Sequence, residues 1–79
     1  MVNEVNETIR TIRQDIEFHK LKLDQLDQTG KFIKGMDIPL VHKKIVLESI
    51  GFSMDYHNHK IGKLVDYRET VMEKYGMKL

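Results

Sequence analysis

The chain reads as an all-α protein, a long antiparallel helical hairpin, and three observations predict it. Val5, Ile9, Ile12, Ile16, His19, Leu23 and Leu26 recur at alternating steps of four and three, the period of a narrow seam along one face of a helix. A second ladder with the same rhythm runs through Ile50, Met54, His57, Ile61, Leu64, Arg68, Val71 and Tyr75, and Leu40 and Leu47 extend its register backward. Between the two ladders Thr29, Gly30, Gly35, Asp37 and Pro39 crowd into one short stretch, which marks the connection.

The first helix is expected over 4–28. Asn3 or Asn6 can cap it, and Glu4 and Glu7 suit the positive end of its dipole. The connection then occupies 29–37, with Phe32 and Ile33 folding back as an apolar plug. Asp37 is the N-cap candidate for a second helix over 38–75, and Pro39 falls in its first turn, where a missing amide hydrogen costs little. Leu40, Val41, Ile45, Val46, Leu47 and Ile50 make the start of this helix apolar on several sides, so it should touch more than one neighbour.

Gly51 and Ser53 pose the main ambiguity. A glycine inside a helix costs about 1 kcal/mol against alanine, and the heptad rhythm crosses Gly51 unbroken, which favours one helix with a kink at 51–53. The alternative is a break at Gly51, with Ser53 capping a third helix from Met54 to Tyr75. A strand over KKIVLESIGF would rest on β-branched Ile45 and Val46, but no second strand exists to pair with it.

Size and composition bound the function. The 79 residues 1–79 form a single domain. A chain this short buries only roughly 60% of the surface its unfolded form exposes, so its core is thin. It has no cysteine, hence neither a disulfide nor a thiolate metal site. Extra stability must come from packed helices or self-association, and a homodimer closing into a four-helix bundle is the simpler expectation. The opening MVNEVNETIR contains acidic Glu4 and Glu7 and no apolar run, so a secretory signal and a membrane anchor are not expected and a reducing cytoplasm is. Thirteen basic against twelve acidic side chains give a net charge of +1, well short of the excess that non-specific phosphate binding shows.

Protein-binding candidates come from apolar and aromatic side chains off the seams. Phe18 and Leu21 are neighbours on the first helix, turned away from its ladder; either the plug or the start of the second helix covers them, or another protein docks there. Tyr56 and Tyr67 lie off the second ladder and are of the type enriched at interface cores. Nucleic-acid binding is the rival reading: Lys31, Lys34, Lys43 and Lys44 stand against Asp37 alone, which makes the turn end locally basic. No helix-turn-helix spacing accompanies them, and no arginine with asparagine or glutamine stripe suits base reading.

The histidines are the remaining chemistry. Asp15 with His19 and Asp55 with His59 are i,i+4 pairs that could each offer a metal an oxygen and a nitrogen, but His59 lies about 200° around the helix from His57, so the pairs do not converge. No metal site and no cofactor are therefore expected. His19 and His57 replace apolar residues at seam positions, where a polar group sets register or partner choice at some cost in stability. Charging them would put positive charge into a helix interface, so acidification is expected to weaken the assembly. There is no cysteine nucleophile, glycine-rich phosphate loop or nucleophile elbow around Ser49 or Ser53, so no enzyme is expected. The composite expectation is a small helical protein–protein interaction module, a regulatory or accessory factor of bacterial or phage type. It would bind itself and a second cellular protein.

Overall fold

A computed structural model, which describes residues 2–76, shows two helices, α1 (Val2–Gly35) and α2 (Leu40–Lys74), packed antiparallel along their length. The hairpin measures 57 × 16 × 14 Å. Ile9, Ile12 and Ile16 of the first ladder are its only buried large apolar side chains among the described residues, at 4–6% exposure, and α2 contributes none. The other rungs, Val5, His19, Leu23 and Leu26 on α1 and Leu47, Ile50, Met54, His57, Ile61, Leu64, Arg68 and Val71 on α2, are half-buried. This is what geometry requires of two helices alone: each rung has one neighbour helix, and its other flanks face outward.

Two contacts fix the register. His19 meets His57, and Leu47 lies beside Gly30, where a Cβ would stand 3.9 Å from its Cδ2. Between these points the ladders advance in step, so Leu23 falls level with Met54, Leu26 with Ile50, Ile16 with Ile61, and Ile9 with Arg68. Arg68 therefore interrupts the seam near its open end, and its Nε is buried without a hydrogen-bond partner among the described residues.

The expected boundaries of the connection are corrected. α1 does not stop at Gln28 but continues through Thr29 and Gly30 to Gly35, so the connection shrinks from 29–37 to 36–39. Thr29 is helical, its hydroxyl donating to the Gln25 carbonyl at 2.9 Å, and Gly30 is buried because it occupies the next rung of the ladder, with Ile33 the one after. Phe32 is consequently on a helix rather than in a plug, and it is 69% exposed. Asp37 does not cap α2. That place falls to Pro39, whose carbonyl accepts from the amides of His42 and Lys43 at 3.0 and 3.1 Å. Asn3 and Asn6 both lie inside α1. α2 runs through Gly51 and Ser53 without interruption, and no third helix forms among the described residues. It ends at Lys74, one residue before Tyr75, where Gly76 takes φ +71°, a backbone that suits glycine and closes the last turn.

The continuity of both helices is testable at their glycines. Gly30→Ala meets only ordinary van der Waals contact and Gly51→Ala meets open space. Each should raise stability by about 0.5–1 kcal/mol in urea unfolding if the glycine is helical, and should lower it if the glycine sits at a turn.

Candidate functional site

The most distinctive feature is a pair of imidazoles at mid-length. Nδ1 of His19 and Nδ1 of His57 lie 2.7 Å apart, with ring centroids at 5.0 Å and planes inclined at 48°. Both rings are half-buried in the seam. At this distance one Nδ1 carries the proton and donates while the other accepts, so the two rings hold opposite tautomers at Nδ1. The contact therefore requires that at least one of the two Nδ1 atoms be unprotonated, since with both protonated neither could accept.

Around the pair the two helices carry the same local sequence. Glu17-Phe18-His19 followed by Lys22, and Asp55-Tyr56-His57 followed by Lys60, share the order acid, aromatic, histidine, two residues, lysine. The structure repeats what the sequence repeats. Phe18 stands edge-on to His19 at 5.4 Å and 74°, and Tyr56 edge-on to His57 at 5.2 Å and 77°. The Lys22 ammonium lies 5.4 Å from the Phe18 ring centre, and that of Lys60 lies 5.6 Å from Tyr56. Each aromatic ring thus buttresses its imidazole and carries a cation on its face. The reading of the residues missed this motif, although its signal was there in the repeated spacing.

Seven-residue spacing sorts the remaining surface into two broad faces and two outer backs. Phe18, Tyr56 and Tyr67 share one broad face with Phe32 and Val46; Tyr67 borders an open groove with Val5, Thr8 and Val71 at the hairpin's open end. The opposite face carries Arg13, Lys20, Asp27, Lys34 and Lys44. Leu21 sits on the outer back of α1, and Ile45 and Phe52 on the back of α2, all exposed. The expectation that the plug or the start of α2 covers Phe18 and Leu21 is overturned, since they are 51% and 54% exposed. The cause is the extended α1: it carries Phe32 fourteen residues beyond Phe18, roughly 21 Å along the axis.

The basic turn is less free than its composition suggests. Lys31 pairs with Asp27 at 3.1 Å. Lys43, at a seam position, donates its ammonium to the Lys34 carbonyl at 3.0 Å and so satisfies one of the open carbonyls at the end of α1. Lys34 and Lys44 border a shallow groove with Leu40, Leu47 and Glu48. Among the described residues no three histidine or carboxylate side chains converge. No helix among those residues is long and apolar enough to cross a membrane. No protein-family model, curated protein or solved structure matches the chain.

A double-mutant cycle checks the histidine contact. His19→Leu together with His57→Leu replaces a polar rung by an apolar one and should stabilise the fold by about 1–2 kcal/mol, while either change alone gains less because it leaves the other Nδ1 unpaired. The two effects should differ from additivity by about 0.5 kcal/mol or more in urea unfolding; full additivity would mean the rings do not interact.

Proposed function

We propose that this chain is a small helical interaction module that works as a self-associated bundle and docks on another protein, altering that protein's activity or assembly. The observation that carries the reading is the mismatch between surface and core. A compact chain of 9.3 kDa exposes about 5,000 Å², whereas this hairpin exposes 6246 Å², an excess of roughly 1,200 Å². Its radius of gyration is 17.5 Å against about 12 Å for a compact domain of this length. Closing two hairpins to ordinary compactness buries roughly 4,000 Å² in total, within the range of obligate dimers.

The distribution of side chains supports the same reading. Phe18, Phe32, Val46, Tyr56 and Tyr67 supply an apolar and aromatic face for self-association, while the opposite face carries the charges of Arg13, Lys20, Asp27, Lys34 and Lys44 beside Val65 and Met72. Leu21, Ile45 and Phe52 on the outer backs then remain for a second protein. In this reading the protein is a regulatory or accessory factor of bacterial or phage type, acting in a cytoplasm and without catalytic chemistry of its own.

Size exclusion with light scattering tests it. The expected mass is twice 9.3 kDa, with Tyr56→Lys and Tyr67→Lys shifting the protein towards a less helical monomer and Phe52→Lys leaving the dimer intact. A cooperatively folded monomer at all accessible concentrations would contradict the reading.

A further inference from the structure

We propose that a second copy of this chain covers the aromatic face in antiparallel orientation, about a twofold axis that crosses the hairpin at the level of the His19–His57 pair. The proposal rests on self-association and specifies its geometry. In an isologous dimer the same surface meets itself, so a residue a given height above the axis meets one at the same height below it. With the axis perpendicular to the helices, α1 lies against α1 of the second copy and α2 against α2.

The positions flanking the histidines on this face fit that symmetry. On α2, Val46 lies eleven residues before His57 and Tyr67 ten after it, so Val46 of one copy comes level with Tyr67 of the other to within about 1.5 Å. Both are exposed apolar or aromatic side chains, at 37% and 54%. On α1, Asp15 lies four residues before His19 and Lys22 three after it, so the same axis sets Asp15 opposite Lys22 of the second copy, twice over. Ser53 faces Lys60 and Thr8 faces Thr29 by the same rule, and no like charges meet. These residues belong to one face: Thr8 and Tyr67 border the same groove, and Lys22 and Lys60 lie over the aromatic rings beside the histidine pair.

A twofold axis along the hairpin is the competing arrangement. It sets Asp15 against Lys60, Tyr67 against Thr8 and Val46 against Thr29, so the contact of Val46 with Tyr67 is lost. Across the perpendicular axis Asp15 meets Lys22 and Val46 meets Tyr67, each twice over, and the remaining pairings involve hydroxyl side chains without setting like charges together.

Cross-linking decides the matter, and the cysteine-free chain makes it clean. Asp15→Cys mixed with Lys22→Cys should oxidise to a covalent heterodimer, whereas Asp15→Cys mixed with Lys60→Cys should not. The reverse pattern overturns the antiparallel orientation. A dimeric mass with neither cross-link overturns the face, and a monomeric mass overturns self-association itself. Charge exchange supplies a second readout that does not depend on cysteine: Asp15→Lys should weaken the dimer about tenfold, and adding Lys22→Asp in the same chain should restore it. Asp15 and Lys22 are seven residues apart on one helix and form no ion pair among the described residues. Failure of the second substitution to rescue the first overturns the proposed pairing.

Discussion

Two long helices that share one narrow seam enclose very little, and this constraint governs the rest of the structure. Three isoleucines and Gly30 are buried, and the other rungs of the ladder keep a flank in the open. The conformational cost of ordering more than seventy residues is of order 1 kcal/mol or more for each, and a single seam of half-buried rungs is a small counterweight. Surface left over by the hairpin is therefore part of its stability problem. The proposed bundle of two hairpins would relieve it by covering exposed flanks of the rungs without any change in the helices.

The histidine pair shows how such a seam trades stability for definition. An apolar rung at 19 and 57 would pack in several neighbouring registers, since leucine and isoleucine tolerate small slips. Two imidazoles joined by one hydrogen bond at 2.7 Å tolerate less. Buttressing by Phe18 and Tyr56 holds each ring plane, so the contact locks the longitudinal position of α1 against α2 at mid-length. The same residues pass their positions on to the aromatic face, whose side chains are spaced in both directions from this level. Register within the hairpin thus rests on this contact together with that of Leu47 against Gly30.

Much of the fold was legible because a heptad ladder is a strong signal. The seam residues from Val5 to Leu26 and from Leu47 to Val71 lie where their spacing puts them, and the unbroken rhythm across Gly51 was the right guide to a continuous α2. The end of α1 was misread because Thr29 and Gly30 look like punctuation. Counting four beyond Leu26 reaches Gly30, and three more reaches Ile33, so the ladder itself extended past the apparent stop. The cap at Asp37 failed for the same reason: a longer α1 leaves only four connecting residues, and Pro39 takes the capping position. The meeting of His19 with His57 was harder to see. Each was placed on its own seam, but their contact depends on inter-helix register, which the length of the turn sets and no periodicity within one helix reveals. The exposure of Phe18 and Leu21 followed from that longer helix too, since the residues expected to cover them were carried away along it.

Thermal unfolding followed by circular dichroism over about a hundredfold range of protein concentration tests the central claim most directly. If folding and self-association are one event, that range shifts stability by about 2.7 kcal/mol and the melting temperature climbs with concentration. A melting temperature independent of concentration would show that the hairpin is stable alone, and would contradict the account.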